Sequence, residues 1–527
     1  MPSKYNTIAL IFIIAIAVFF RFWQFDSVPP GLYQDEAMNG ADALSSLEND
    51  KFSVFYTNNN GREGMIVWLD ALAVKAFGTE PWVLRLFPAI AGVLAVLGLF
   101  FLTKKLFNIK IALASSFFMA ISFWAVNFSR IGFRANLMVP ILIWSFYFLL
   151  RAVNQNLVSD TRALRCRTPS FIIAGVLFGL GFYTYISYRF APVLAAAFFI
   201  PYLIMRRTKN FWLGFAIFAV TAFIVALPIG LYFLNNPGDF FGRSGQVSVF
   251  SADNPLKATV LSVAATFGMF NIIGDQNSRH NFAGYPQLLL PVGILFILGI
   301  LICTKRRNLS DKFLFLWFFI FLLPNILSTE GNPHALRALG TMPAAMVFAG
   351  VGLVWICEKI KKYLDDKISN SDFFKYRPQL IRIKKELFIL LVVFLFFISF
   401  SEFNKYFVKW ASNIRTADAF SQSHVKIADY LNLLPENVNK YVIWPSDDRP
   451  TENDLPVSAQ TVYFLTYGKS DINYVKSNEI DKINLGANGA IIATLNSDLE
   501  LLHDLNKKFP SGKVEFIYLN TPILIVP

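Results

Sequence analysis

From residue 8 to residue 400 the chain is a succession of long apolar runs separated by short clusters of lysine and arginine. A helix needs about 20 apolar residues to cross the hydrocarbon core of a bilayer, and cytosolic loops carry an excess of Lys and Arg. Each run is therefore tested by its length and by which of its ends is basic. Eleven runs satisfy the charge rule with the N-terminus cytosolic: 8–23, 83–102, 111–126, 137–150, 171–186, 191–205, 211–234, 288–303, 313–327, 339–356 and 387–400. The inner turns are marked by Lys104 and Lys105; by Arg151, Arg162, Arg165 and Arg167; by Arg206, Arg207 and Lys209; by Lys305, Arg306 and Arg307; and by the basic linker 359–385. The run 65–77 is too short to span and carries Asp70 and Lys75, so it reads as a helix lying on the outer surface. A second such surface helix is expected within 258–273, in the long outer loop 235–285.

Composition agrees. Of 527 residues 55% are hydrophobic and only 16% charged, against roughly 25% charged in soluble proteins. The net charge of +13 sits in the turns between runs, which is the pattern of a multi-pass membrane protein and not of a nucleic-acid-binding surface. No nucleic-acid partner is expected. Cys166, Cys303 and Cys357 have neither metal-ligand spacing nor the pattern of a disulfide framework, and all lie on or near the cytosolic side. Arg21, Phe22 and Trp23 follow the apolar stretch 8–20 where a cleaved signal would carry small residues, so that span is expected to remain.

Beyond Glu402 the composition becomes that of a soluble domain. Helical patterns at 418–434 and 498–509 alternate with strand-like runs at 441–444, 461–465, 490–495, 514–519 and 523–526. The expected division is a transmembrane domain, 1–402, and an extracytoplasmic α/β domain, 403–527, placed outside by the parity of the spans. The latter has no cysteine and no nucleotide-binding glycine motif, which favours packing or acceptor recognition over a second catalytic centre.

The first outer loop, 33–69, carries the adjacent acids Asp35 and Glu36 and, further on, Arg62 and Glu63. Ala37, Gly40, Ala41, Leu44 and Leu47 recur at helical spacing, so Asp35 begins a short helix, where a carboxylate serves either as a cap or in chemistry. Further ionisable residues fall at outer ends of spans: Arg130, Arg134, Arg189, Asp275, Arg279, His280, Glu330, His334 and Arg337. Positive charge there runs against the orientation rule, and ionisable groups at membrane depth are functional candidates. The arginine fork matches phosphate oxygens in two parallel hydrogen bonds, while carboxylates suit a general base or a divalent cation screening the same phosphates. The blander alternative is mutual pairing that ties loops together, for example Arg62 with Asp35 or Glu36. Neither histidine belongs to a metal-ligand motif by spacing.

Asp35-Glu36, GREGMIVWL at 61–69, PWVLRLFPAIAGVLAVLGLFFLTKKLF at 81–107, and the segments SRIGFRAN, GFYTYISYRFAP, RHN and PHALRALGTMPA occur here in that order. In this order and topology the chain, over roughly residues 1–402, resembles the GT-C class of membrane glycosyltransferases, specifically the dolichyl-phosphate-mannose protein mannosyltransferase and aminoarabinose transferase group (glycosyltransferase family 39 and relatives). The resemblance implies an inverting enzyme in the plasma membrane. It moves a hexose or pentose from a polyprenyl-phosphate donor to a protein, lipid or glycan acceptor on the outer face. It further implies Asp35 as the base taking the acceptor's proton, with Glu36 orienting it or binding acceptor. Arg189 and Arg337 are the first choices for the donor phosphate, with Arg62, Arg130, Arg134 and Arg279 in reserve. A divalent cation at Glu63 and His280 is the only cofactor it leaves room for. Where aminoarabinose transferases carry Glu-Lys-Pro-Pro, this chain has Arg62-Glu63-Gly64-Met65, which leaves sugar, acceptor and metal open. Two other classes remain: a transporter or flippase of a lipid-linked saccharide, expected to show broken helices at the midplane and repeated halves, and a non-catalytic scaffold.

Overall fold

The computed structural model describes residues 4–153, 161–205, 209–369, 376–486, 488–496, 498–519 and 521–527. Arg206 and Arg207 of one expected inner turn, and the side chains of Arg162, Arg165, Cys166, Arg167 and Lys209, lie outside the described residues.

In chain order, α1 (Lys4–Phe22) leads to the first outer loop, which holds α2 (Gln34–Glu48), the two-stranded hairpin β1 (Phe55–Tyr56) and β2 (Arg62–Glu63), and α3 (Met65–Phe77). Then come α4 (Leu86–Leu106), α5 (Ile109–Ile121), α6 (Phe123–Ser129), α7 (Ala135–Val153), α8 (Thr161–Leu180), α9 (Ala191–Met205) and α10 (Lys209–Asn235). The long outer loop carries α11 (Pro237–Gln246) and α12 (Pro255–Gly268), the latter within the stretch expected to be helical. The helices α13 (Leu290–Arg306), α14 (Leu309–Ile326), α15 (Met342–Ser369) and α16 (Arg377–Phe403) complete the apolar part.

All eleven expected spans fall on these helices, yet by length and composition only seven of the described ones are long and apolar enough to cross: α1, α4, α7, α10, α14, α15 and α16. An eighth is the pair α5 and α6, bent by 59° at Ser122. Of the other three expected spans, α13 has 17 residues, and the apolar stretches of α8 and α9 among the described residues are Thr168–Tyr183 and Ile186–Ile200. The bend was not visible in the sequence, because apolar character runs through it unbroken. Two buried charges satisfy its open ends. Arg21 donates from Nη1 to the Ala120 carbonyl (3.0 Å) and from Nη2 to that of Met119 (3.3 Å), while Glu402 Oε2 accepts from the Phe123 N–H (3.1 Å). In hydrocarbon such groups have no water to turn to.

The C-terminal segment folds as α17 (Ile414–Ala419), α18 (Gln422–Leu433), β3 (Asn439–Trp444), α19 (Gln460–Thr466), β4 (Asn473–Lys476), β5 (Ala490–Thr494), α20 (Leu499–Lys508), β6 (Lys513–Tyr518) and β7 (Thr521–Val526). The sheet order is β4-β3-β5-β7-β6, with β3 parallel to both its neighbours and β7 antiparallel to both of its own. The run 461–465 is helical and not a strand. A short apolar stretch buried on most sides has no periodicity to tell the two apart. The edge strand β4 was missed because Val475 is its only buried residue.

Compact packing divides the chain otherwise than at 402/403. One unit is Met1–Trp23, Pro88–Ser129 and Arg134–Trp410; the other is Gln24–Phe87, Arg130–Phe133 and Ala411–Pro527. The reason lies in the second unit's core. Successive residues of β3 point to opposite faces, Tyr441 and Ile443 toward Leu501 and Leu505 of α20 and Phe509 just after it, and Val442 and Trp444 toward a second cluster. That second cluster contains Ile427 and Leu431 of α18 and Val462 and Phe464 of α19. It is completed by Leu32, Ala37, Leu44, Val74, Val83 and Leu84, all from the segment between α1 and α4.

Candidate active site

In the second unit, Tyr33 precedes α2 and its N–H donates to Glu36 Oε2 (3.1 Å), so the capping carboxylate is Glu36 and not Asp35. Glu36 is fully buried. Arg85 meets it in a two-pronged pair, Nε to Oε1 (2.9 Å) and Nη2 to Oε2 (3.2 Å), and the Gly132 N–H adds a further bond to Oε1 (2.7 Å). The remaining guanidinium donors of Arg85 go to the carbonyls of Pro29 (2.9 Å) and Gly31 (2.8 Å). A side-chain carbon on residue 132 would lie 3.2 Å from the Glu36 carboxylate and from the Leu84 carbonyl, a tight fit. Arg85 was read only as part of a span. A basic residue at the outer end of an apolar run was the signal available.

Asp35 is half-buried, and its Oδ1 accepts from Asn59 Nδ2 (2.7 Å). Asp35, Asn39 and Asp42 follow at i, i+4 and i+7, so they share one face of α2. Arg62 does not pair with Asp35 or Glu36. It pairs with Asp42, and also donates to Asn39 Oδ1 (2.6 Å) and the Asn58 carbonyl (3.4 Å). Asn58 donates to Asp42 Oδ1 (3.2 Å). Burial raises the Asp42 carboxyl above the ordinary range despite the opposing pull of Arg62. Asp70 on α3 is fully buried, and neither carboxyl oxygen has a hydrogen-bond partner among the described residues. Burial, reinforced by Glu36, holds it protonated well above the usual range. Glu63 is buried in β2, across from Phe55. Arg130 donates to the carbonyls of Gln24 (2.9 Å) and Val28 (2.6 Å), bracing the start of the loop.

In the first unit, Asp275, His280 and His334 bring three ligand atoms within 4.8 Å of one another. His280 Nδ1 lies 3.0 Å from Asp275 Oδ2, which also accepts from the Ala335 N–H (2.8 Å). The two imidazole rings are 4.6 Å apart, and α6 shelves the cluster: Phe128 stacks on His280 at 5.8 Å and Asn127 donates to the Arg279 carbonyl (2.7 Å). His334 Nδ1 is buried with no hydrogen-bond partner among the described residues. Burial first, then the positive neighbours His280, Arg337, Arg243 and Arg279, push His334 far below the ordinary histidine range, so it stays neutral. Sequence spacing gave no hint of this cluster, because 54 residues separate its two halves (334 − 280).

Of the other arginines in this unit, Arg337 pairs with Glu330 (2.7 Å), which also pairs with Arg243 (2.8 Å). Arg189 donates to the Phe240 carbonyl (2.6 Å) and lies 4.0 Å over the Phe240 ring, Arg134 lies over Tyr185 (5.5 Å), and Arg279 donates to Asn277 Oδ1 (3.3 Å).

The fold is one shared with solved membrane proteins, and part of the chain matches a family model. Residues 64–232 match the family model described as dolichyl-phosphate-mannose-protein mannosyltransferase. The fold is similar to that of ArnT from Cupriavidus metallidurans bound to undecaprenyl phosphate, with a TM-score of 0.59 at 12% identity, covering 98% of this chain and 97% of that one. The same protein in the apo state gives a TM-score of 0.57 at 12% identity, with coverage of 99% and 98%. The Archaeoglobus fulgidus oligosaccharyltransferase tethered to an acceptor peptide containing the NVT sequon gives 0.52 at 16% identity, over 89% of this chain and 64% of that one. No curated protein matches the sequence.

Proposed function

We propose that this chain is a glycosyltransferase that moves a sugar from a polyprenyl-phosphate donor to an acceptor on the outer face of the membrane. The observation that carries the reading is the fold, shared over nearly the full length of both chains with ArnT bound to undecaprenyl phosphate. The partial match to a mannosyltransferase family supports it. In this reading Asp35 accepts the acceptor hydroxyl's proton as the oxygen attacks the anomeric carbon and the bond to phosphate breaks.

Glu36, whose oxygens are all engaged by Arg85, Gly132 and Tyr33, orients the start of α2 and leaves acceptor contact to Asp35. Arg337 and Arg189 are assigned to the donor phosphate, with Arg134 and Arg279 as further candidates. Arg62 and Arg130, which donate to Asn39 and to the Val28 carbonyl, stay in reserve for the same role. The N-terminus is cytosolic and the C-terminal segment extracytoplasmic.

The donor set of Asp275, His280 and His334, with a neutral histidine and an unpartnered buried nitrogen, fits a divalent cation. Such a cation supplies charge that screens the phosphates. Glu63 belongs to the other unit and is not among these three residues.

The test is transfer of radiolabel from a panel of polyprenyl-phosphate sugars to cell-envelope acceptors by the purified protein in liposomes. Label reaching an acceptor is expected; chelation slows it, and added Mn²⁺ or Zn²⁺ restores the rate in wild type but not in His334→Ala. The 59° bend between α5 and α6 is a feature that favours a transporter, and donor crossing the bilayer without any transfer of label would decide for that class.

A further inference from the structure

Between β1 and β2 the backbone passes through three successive left-handed residues, Asn59 (φ 51°), Asn60 (φ 64°) and Gly61 (φ 81°). Glycine enters this region freely, and asparagine is among the few other residues that visit it, normally singly. A pair of asparagines held there reflects surroundings that over-determine the turn. Those surroundings are the polar face of α2. Asn58 reaches Asp42, and Arg62 reaches Asn39 and Asp42, so the turn is fastened on both sides of Asn59. The Gly61 N–H closes the turn onto the Asn58 carbonyl (3.2 Å). What this fastening delivers is the Asn59 carboxamide, 2.7 Å from Asp35 Oδ1. Among the described residues, no side chain or backbone N–H bonds the other oxygen, Oδ2.

We propose that Asn59 is a positioning residue for Asp35: its N–H fixes the carboxylate's rotation through Oδ1 and leaves Oδ2 to receive the acceptor's proton. The inference rests on the reading of Asp35 as the base. In the step concerned, the proton passes from the acceptor hydroxyl to Oδ2. The acceptor oxygen bonds to the anomeric carbon, and the phosphate leaves with the electron pair of the broken bond. A donor to a carboxylate also favours its ionised form, so losing the donor moves the base's titration to higher pH.

The experiment uses the full chain in liposomes with a polyprenyl-phosphate sugar and measures kcat, donor KM and the acid limb of the pH–rate profile. Asn59→Gly keeps a residue that adopts φ near +51° and removes only the carboxamide; Asn59→Asp keeps the shape and removes the donor. Both should lose kcat by about tenfold or more, a part of the 10²–10⁴ that a positioned base contributes, with the acid limb moved to higher pH and the donor KM unchanged. Asn60→Gly, which alters the same turn without touching Asp35, should keep the wild-type rate and profile. An Asn59→Gly enzyme with wild-type kcat, or one slowed with its acid limb unmoved, overturns the inference while an inactive Asp35→Asn leaves the base reading standing. Full turnover by Asp35→Asn removes the base reading, and this inference with it.

Discussion

Arg85 and Glu36 are both wholly buried, and each uses its remaining hydrogen-bonding capacity on backbone groups. Removing one partner of such a pair strands the other charge, at a cost of about 3–5 kcal/mol. Glu36→Ala is therefore expected to lower the unfolding midpoint of the purified protein markedly; an unchanged midpoint would show that the pair is dispensable. Asp70 makes the opposite case. Its folded pKa lies above the unfolded value, so its contribution to stability is fully present below about pH 4 and is lost as pH rises through the folded pKa. Asp70→Leu removes an unsatisfied buried group and should stabilise by about 1–3 kcal/mol, more at pH 7 than at pH 5. A destabilised Asp70→Leu protein would mean that the carboxyl has a partner in solution. At this scale the sequence read the residue types well and the pairings poorly. Asp35 and Glu36 stood out by adjacency, but Glu36's partner is 49 positions away in sequence, in what looked like the edge of a span.

Among elements, the helices were the most legible, since apolar length is an unambiguous signal, and α3 begins and ends where the run 65–77 does. The 59° bend was hidden, and the groups that satisfy its open backbone, Arg21 and Glu402, lie outside its own sequence. Packing density was hidden as well. A side-chain carbon at Gly299 of α13 would run into the Phe348 carbonyl, and one at Gly352 of α15 into the Leu295 carbonyl. Small residues let these two helices meet backbone to backbone, as membrane helices do where close packing drives association. Gly352→Leu should thus wedge them apart and lower thermal stability by about 1–3 kcal/mol, the usual range for overpacking. A melting curve that overlays wild type would show that the contact yields without cost.

For the whole molecule, the sequence marked where composition changes but not which segments share a core. Leu32, Leu44, Val74 and Leu84 precede most of the spans, yet they pack with Ile427, Val442 and Phe464 of the C-terminal segment. A chain ending at residue 410 should insert its spans but leave residues 24–87 open to protease and inactive. Protection of 24–87 in that truncated chain would show that the first loop folds without its partner segment. Asp35, presented by this body, is proposed as the base of a lipid-linked glycosyl transfer. The most direct test compares wild type with Asp35→Asn in a reconstituted assay, each first shown to bind the polyprenyl-phosphate donor. Label is expected to reach the acceptor with wild type and not with Asp35→Asn, at equal donor binding. Equal turnover by the two proteins would contradict it.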